Sequence, residues 1–492
     1  KSSLLNLWTH ITSRRRKQLA WLFLLMVLAS FAEVLTIGAI LPFLAVLTSP
    51  EQLFEHALAQ PVIQMLNIVE PQQLLLPLTI AFSLAALLSG AMRLILLWAQ
   101  TRLSHAVGAD LSFSIYQRTL YQPYSIHVAR NSSEVIAGVS QKANEVVHLT
   151  VLPMLVILSS SFMMLAILIT LFSIQPTIAI SAFVGFSSLY VAIISLTKKT
   201  VIRNSDTAAY KQNQVIKALQ EGLGGIRDVL IDGTQEVYCK VFRSADLPLR
   251  RSRANIQIIG GIPRFGIEAL GMVLIAGLAF SLAGSEGGFA NTIPVLGALA
   301  LGAQRLLPAL QQSYFNLTLI RGGQSQLRDA LKLLEQPFPE HKGKALPQPI
   351  PFNHSIELEK IAFRYCQQTP WVLQGIDLSI NKGSHVGFIG TTGSGKSTLI
   401  DIVMGLLMPN EGSLKIDGQV ITTGNHRAWQ LHIAHVPQSI FLADTTITEN
   451  IAIGTPLKDI NMERVRDAAE KAQITDMIES LDEKYNSKVG EH

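Results

Sequence analysis

Apolar residues fill most of the first two thirds of the chain, in six long runs separated by polar segments. Each run is long enough to cross about 30 Å of hydrocarbon as a helix. A tight turn at residues 173–176 is all that separates the third run from the fourth. We therefore predict six membrane spans, at residues 19–47, 73–99, 149–172, 178–196, 258–282 and 293–314.

The segments around the spans predict further helices. Residues 4–11 have an amphipathic pattern that predicts a short helix on the membrane surface. Residues 51–69 carry their own apolar positions and predict a helix on the outer surface. The long connections after the second and fourth spans lack strand alternation, so we expect the spans to continue as helices beyond the membrane. Hairpin turns are expected at residues 122–124 and 222–225.

Composition supports a membrane protein with more than one domain. Only 15% of the 492 residues are charged, against about 25% in soluble proteins, and the mean hydropathy is +0.33. The net charge of +5 comes from basic residues beside the spans, without the aromatic interleaving of a nucleic-acid interface. We therefore expect no nucleic-acid partner. The only two cysteines, Cys239 and Cys366, lie far apart in stretches expected in the cytosol, so we expect neither a disulfide framework nor a zinc site.

The distribution of basic residues predicts the orientation in the membrane. Arginine and lysine are concentrated before the first span and after the second and fourth spans, whereas residues 48–72 contain neither. Since cytosolic loops carry the excess of basic residues, both termini are expected in the cytosol.

The pattern changes after about residue 335, where a proline-rich linker leads into short alternating strands and helices. This alternation is typical of an α/β domain. The predicted strands are residues 355–362, 372–380 and 385–389. We predict a transmembrane domain at 1–335, a linker at 336–350 and part of a nucleotide-binding domain at 351–492.

A glycine-rich turn follows the third of these strands and precedes a helix. Residues 390–397, GTTGSGKS, have the G-x-x-x-x-G-K-[ST] spacing of a P-loop. Glycines at 390, 393 and 395 allow positive φ angles that turn backbone N–H groups inward. Lys396 would reach the β- and γ-phosphates, and the Ser397 hydroxyl would be a ligand of Mg²⁺. The turn therefore predicts an ATP site.

Six spans with cytosolic extensions, a linker and a P-loop domain resemble, over the whole chain, an ABC exporter half-transporter. The resemblance implies a six-helix transmembrane domain followed by an α/β P-loop NTPase domain. It also implies ATP and Mg²⁺ as cofactors and a second half-transporter as partner, expected to form a homodimer. Tyr365 resembles the aromatic residue that stacks on adenine, and Gln438 resembles the Q-loop glutamine that reaches Mg²⁺. The implied ATP-binding residues are Tyr365, Gly390, Thr391, Thr392, Gly393, Ser394, Gly395, Lys396, Ser397, Thr398 and Gln438.

One part of the family pattern has no match. In the family, the LSGGQ signature, the acidic Walker B strand, the catalytic glutamate and the switch histidine follow the Q-loop, but nothing after Gln438 matches them. We therefore assign no catalytic residue in this chain and expect it to be truncated at both ends. Alone it is expected to bind ATP weakly without hydrolysis, whereas the complete protein would be an ATPase and translocase.

Five charged residues lie within the spans, and such charges are functional candidates by default. They are Glu33, Arg93, Arg264, Glu268 and Arg305. Three arginines at similar depth around a cavity would suit a phosphate or pyrophosphate headgroup, because guanidinium binds such oxygens in pairs. Two structural alternatives stay open: Arg264 can pair with Glu268 four residues on, and Arg93 can extend to the inner interface.

A narrower resemblance concerns the residues around these charges. Residues 31–43, 262–268 and 304–308 are similar to bacterial flippases of polyprenyl-pyrophosphate-linked oligosaccharides. The resemblance implies export of an anionic, lipid-linked glycan from the cytosolic side outward, by alternating access, across the bacterial inner (plasma) membrane. The alternative is a multidrug, lipid or peptide exporter, which shares the architecture. An ATP-gated channel is a more distant alternative.

Overall fold

The computed structural model describes residues 3–48, 50–55, 60–65, 67–129, 142–174, 176–283, 288–339, 342–343, 345–438 and 440–490. The chain divides into two compact units, Lys1–Lys344 and Ala345–His492. The division falls within the predicted proline-rich linker.

The first unit is helical. Its helices are α1 (Ser3–His10), α2 (Ser13–Thr48), α3 (Pro50–Glu55), α4 (Gln60–Met65), α5 (Leu75–Leu120), α6 (Tyr124–Ala129), α7 (Ala143–Val146), α8 (Leu152–Ile174), α9 (Pro176–Gly224), α10 (Ile226–Ile231), α11 (Gln235–Ala283), α12 (Gly288–Gly322) and α13 (Gln324–Leu334). A 3₁₀ turn at Pro71–Leu74 precedes α5, and a π-helical turn at Val147–Val151 joins α7 to α8. The six predicted spans fall in α2, α5, α8, α9, α11 and α12.

Three helices continue far past their predicted spans, as expected. Helices α5, α9 and α11 contain 46, 49 and 49 residues. The expected turns are confirmed only in part: residues 121–123 separate α5 from α6, whereas residues 222–224 are helical and Gly225 alone separates α9 from α10, with a further turn at residues 232–234 before α11. Proline lacks an amide N–H and glycine favours left-handed or open turns, so both residues interrupt a helix at these points.

Within the described residues, three helical stretches are long and apolar enough to cross a membrane. These are Ser13–Thr48, Pro71–Leu120 and Ala143–Ser173. The spans expected in α9, α11 and α12 stay predictions from the apolar pattern. Helix α5 passes directly against the π-helical turn, because a Cβ atom at Gly108 would overlap Val147 Cγ2.

Two of the predicted surface helices differ in the structure. Helix α1 does not lie on the membrane alone: Leu7 is buried and belongs to the same core cluster as Leu331 of α13, while Leu5 and Trp8 are exposed. One side of α1 thus packs within the protein, and membrane contact of its exposed side stays a prediction. The predicted outer helix at 51–69 is two short helices, α3 and α4; residues 56–59 between them and residue 66 lie outside the described residues.

The second unit contains a four-stranded antiparallel sheet in the order β2-β1-β3-β4. Its strands are β1 (Ser355–Phe363), β2 (Leu373–Asn381), β3 (Glu411–Ile416) and β4 (Gln419–Val420), and a separate pair is β5 (Thr445–Thr446) with β6 (Lys488–Val489). The helices are α14 (Lys396–Val403), α15 (His426–Gln430), α16 (Ile447–Ile451), α17 (Met462–Lys471) and α18 (Thr475–Glu479). Ile402 of α14 and Trp429 of α15 are fully buried in the same core as the sheet.

The predicted strand at residues 385–389 is wrong for this structure, since residues 384–391 form no strand. A strand forms only where a neighbouring chain segment supplies backbone hydrogen bonds. No segment among the described residues pairs with it, and Ile389 is 99% exposed. The apolar segment around Val436 and Phe441 is likewise exposed.

Candidate functional site

The glycine-rich turn has the backbone conformation of a phosphate-binding loop. Gly393 and Gly395 have φ angles of 85° and 90°, and α14 begins at the next residue, Lys396. The positive φ expected at Gly390 is wrong, because only the later two glycines of the turn adopt it. Gly390 instead allows close approach, since a Cβ atom there would lie 2.8 Å from Ser394 Oγ.

Gly395 combines a left-handed backbone with a crowded position. A Cβ atom at this residue would lie 2.9 Å from Leu373 Cδ2 and 3.0 Å from Val372 O. Such distances are shorter than ordinary contacts, and a backbone oxygen cannot move away as the end of a side chain can. The start of β2 therefore fixes the place where the turn becomes a helix.

Lys396 folds back over the turn. Its Nζ donates to Gly390 O at 2.9 Å and to Thr391 O at 2.8 Å. The ammonium group thus lies beside the loop at the N-terminal end of α14, where the helix dipole also favours an anion. Thr391, Thr392 and Ser397 are exposed around it. The backbone N–H groups of the loop, the Lys396 ammonium and the exposed Ser397 hydroxyl together fit a polyphosphate.

Tyr365 lies beside the P-loop helix. Its hydroxyl is 3.0 Å from Thr398 Oγ1, and its ring packs edge-on against Phe363 with centroids 5.0 Å apart. The side chain is 42% exposed, which leaves area for a stacking base. Thr398 is buried, so any contact of Thr398 with nucleotide would come from its backbone.

Gln438 lies in an exposed segment without helix or strand. Three residues before it, the charge of His435 acts on Asp401 of α14: burial raises the pKa of the Asp401 carboxyl, and His435 opposes the increase. Among the described residues, no group of three or more His, Cys, Asp or Glu could hold a metal ion. The residues present fit Mg²⁺ through the Ser397 hydroxyl beside nucleotide phosphates, with Gln438 as the further predicted ligand.

Within the first unit, the structure brings three of the five charged span residues together. Glu33 of α2 is 1% exposed, and its Oε1 lies 2.5 Å from Arg93 Nη2 and 2.9 Å from Arg305 Nε. Its Oε2 accepts a hydrogen bond of 2.6 Å from Ser89 Oγ. Ser89 was missed from the sequence, although it lies one helical turn before Arg93 and hence on the same face of α5.

Small side chains allow the helices to approach closely at this cluster. Ala32 and Ala85 are buried where α2 meets α5, and Thr36 Oγ1 donates to Ala85 O at 3.1 Å. Close packing of small residues with added side-chain hydrogen bonds is a common way to join membrane helices. Helix α12 joins the pair through Leu306, which packs with Ile37 of α2.

Arg264 is separate from this cluster. Its Nε lies 2.9 Å from Glu268 Oε1 on the same helix, and Gln311 Nε2 donates to the same oxygen at 3.5 Å. The expected grouping of Arg93, Arg264 and Arg305 is therefore corrected: two arginines share Glu33, and Arg264 pairs locally as in the structural alternative. Arg93 pairs with a buried carboxylate instead of extending to the interface.

Comparison with known proteins agrees with both units. Residues 19–288 match the family model of the ABC transporter transmembrane region, and residues 373–491 match the ABC transporter model. A structure described as a bacterial Atm1-family ABC exporter with ATP bound has a TM-score of 0.75 with this chain at 20% identity. The match covers 97% of this chain and 80% of that one.

Curated relatives are longer than this chain. The ATP-dependent lipid A-core flippase of Cupriavidus pinatubonensis is 24% identical over 79% of this chain and 66% of its own length. The protein of the same name from Chromohalobacter salexigens is 30% identical over 63% of this chain and 53% of its own length. The chain thus spans less than two thirds of the length of either relative. Because one family model alone covers more than half of the residues, the chain belongs to the ABC transporter family.

Proposed function

We propose that the protein is one subunit of an ATP-driven exporter that moves an anionic, lipid-linked substrate outward across a bacterial inner membrane. The substrate class is a polyprenyl-pyrophosphate oligosaccharide or a related glycolipid. The observation that carries this proposal is the pair of arginines held on one buried carboxylate, Arg93 and Arg305 on Glu33.

The depth of the three residues supports a shared site. Thr48, Leu75 and Gly288 are the ends of α2, α5 and α12 on the predicted outer side. At about 1.5 Å per residue, Glu33, Arg93 and Arg305 lie roughly 22 to 27 Å inward from those ends. This level lies toward the cytosolic side of a hydrocarbon core about 30 Å thick. A substrate entering from the cytosol would meet the arginines there.

Charge supports an anion as the ligand. Two guanidinium groups and one carboxylate give the cluster a net charge of +1, which is costly in hydrocarbon unless an anion compensates it. The side chains of Arg93 and Arg305 are 37% and 32% exposed, so part of each can contact a ligand. A cavity suited to apolar drugs would not need this excess charge.

The nucleotide unit would supply the energy for transport. Lys396 and the loop N–H groups would hold the phosphates of ATP, Ser397 and Gln438 would hold Mg²⁺, and Tyr365 would stack on adenine. In this family ATP is bound between the nucleotide domains of two subunits, so we propose a homodimer with both termini in the cytosol. The relatives named as lipid A-core flippases support a lipid as the transported molecule.

The test uses the complete protein reconstituted in liposomes. ATP turnover is measured with added polyprenyl-pyrophosphate oligosaccharide, lipid A-core or a hydrophobic amine. We expect the pyrophosphate lipid to stimulate turnover, and Arg93→Ala and Arg305→Ala to reduce that stimulation and the flipping of labelled glycolipid. Arg328→Ala is the matched control, because Arg328 pairs with exposed Asp206 on a connecting segment. Stimulation by amines only, or flipping unaffected by both arginine variants, would refute the proposed substrate class.

A further inference from the structure

The two arginines of the buried cluster contact the same atom. Arg93 Nη2 from α5 and Arg305 Nε from α12 both lie on Oε1 of Glu33. Two guanidinium groups would otherwise repel each other in a medium of low dielectric constant. The shared carboxylate oxygen therefore brings the two guanidinium groups side by side, although they come from helices far apart in the sequence.

Glu33 itself is held in place and shielded. Ser89 donates to its second oxygen at 2.6 Å, and the side chain is 1% exposed. Both carboxylate oxygens thus have a fixed partner, and neither faces the outside of the cluster. Glu33 can act on a ligand only through Arg93 and Arg305.

Three guanidinium nitrogens of the cluster are buried and therefore unavailable to a ligand. Arg93 Nε and Nη2 and Arg305 Nε are buried, and none is aligned as a hydrogen bond. About a third of each arginine side chain remains exposed. The nitrogens left for phosphate oxygens are Nη1 and Nη2 of Arg305, which can form a bidentate contact, and Nη1 of Arg93. Two guanidinium groups side by side match two linked phosphoryl groups, whereas a single phosphoryl group needs only one of them.

We propose that Glu33 is a positioning residue that makes the exporter select diphosphate-linked over monophosphate-linked lipids. This inference rests on the proposed function and adds the residue that sets its headgroup selectivity. The carboxylate aligns the two guanidinium groups, and its negative charge lowers the net charge of the cluster from +2 to +1. Loss of alignment weakens diphosphate binding, while loss of the negative charge alone would strengthen binding of every anion. The two effects have opposite signs and can be separated.

The experiment compares variants of the complete protein in lipid nanodiscs. For polyprenyl diphosphate and polyprenyl monophosphate, the lipid concentration that gives half-maximal stimulation of ATP turnover is measured. In the unchanged protein we expect the diphosphate to act at a concentration about tenfold lower, because its second phosphoryl group gains a charge-assisted hydrogen bond to the second guanidinium. Glu33→Gln should reduce this ratio to within about threefold by raising the diphosphate value. Glu33→Asp, which keeps the charge on a shorter side chain, should recover part of the ratio.

Asp110→Asn is the matched control. Asp110 also lies on α5 and binds an arginine of α2, Arg15, with Nε at 3.0 Å from its carboxylate, but it lies outside the buried cluster. Its ratio should equal that of the unchanged protein. Ser89→Ala provides a milder test should Glu33→Gln fail to fold, since it removes one hydrogen bond and no charge; a ratio reduced about twofold or more is expected.

The outcomes distinguish a wrong substrate class from a wrong role of Glu33. If neither lipid stimulates the unchanged protein, the proposed substrate class fails and this inference fails with it. If the diphosphate does stimulate it, but Glu33→Gln keeps the tenfold ratio or binds both lipids more tightly, Glu33 does not position the arginines and only this inference is overturned. An unchanged ratio in Ser89→Ala, with Glu33→Gln unfolded, also overturns it.

Discussion

Replacing Gly395 by alanine is expected to weaken nucleotide binding more than replacing either of two neighbouring glycines. Gly395 has a φ of 90°, and its Cβ position lies 3.0 Å from the Val372 carbonyl oxygen. Gly393 has a φ of 85° with no atom within 4 Å of its Cβ position. Gly387 has neither feature. The three residues thus separate backbone strain from steric overlap.

The magnitudes follow from these two terms. A left-handed backbone costs a non-glycine residue about 1 to 2 kcal/mol. Overlap with a backbone oxygen and a packed leucine adds about 1 to 2 kcal/mol, as for an extra methyl group in a filled core. Gly395→Ala should therefore lose about 2 to 4 kcal/mol of free energy in total. If the whole loss falls on nucleotide binding, the dissociation constant rises roughly 30-fold to several hundredfold. Gly393→Ala should lose about 1 to 2 kcal/mol, and Gly387→Ala almost nothing.

The strain caused by an added Cβ atom can lower either the stability of the second unit or its affinity for nucleotide. If the variant loop keeps its conformation, the second unit loses stability; if the loop relaxes, nucleotide binding must restore the strained conformation and the affinity falls. Both the melting temperature without nucleotide and the dissociation constant of a fluorescent ATP analogue are therefore measured on each variant in detergent. The reasoning is refuted if Gly393→Ala loses as much stability and nucleotide affinity, taken together, as Gly395→Ala. It is also refuted if Gly387→Ala loses a similar amount of affinity.

Three further predictions concern the second unit. Tyr365→Phe loses the hydroxyl contact with Thr398 but keeps the ring, so nucleotide affinity should fall by less than about threefold, whereas Tyr365→Ala should lose about tenfold in a fluorescence titration. Backbone hydrogen bonds, first that from Asn353, lower the pKa of Asp417 in the folded protein; its stabilisation is therefore present at neutral pH and lost as the pH falls through that lowered pKa. Asp417→Asn should lower the melting temperature at pH 7, and the difference should shrink below about pH 4. Thr446→Ala removes the side chain that caps Glu449 N–H at the start of α16 and should cost about 1 kcal/mol in denaturant unfolding; an unchanged unfolding free energy would contradict this.

Features encoded by neighbouring residues could be predicted from the sequence. The long helices follow from apolar runs whose length alone excludes strands, and the turns after Leu120 and Gly224 follow from proline and glycine. The P-loop was recognisable because its spacing and its following helix lie within one short segment. Local chemistry was enough for these elements.

Features that depend on distant parts of the chain could not be predicted. Nothing in the spacing of Glu33, Arg93 and Arg305 shows that they meet, since their contact depends on how three helices rotate and pack. For the same reason, depth in the membrane and a resemblance of the flanking residues group Arg264 with the other two arginines, although α11 holds it with Glu268. The segment 385–389 has a strand-like pattern, but its structure depends on a pairing partner that the described residues do not supply.

The π-helical turn at Val147–Val151 has an evolutionary consequence. Such a turn takes up one additional residue within an otherwise regular helix, and the flanking segments keep their own faces. Homologous chains that lack the turn should therefore show a one-residue alignment gap inside it while both flanks still superpose. The position equivalent to Gly108 should tolerate a larger side chain only in those homologues, so the gap and the loss of the glycine should occur together.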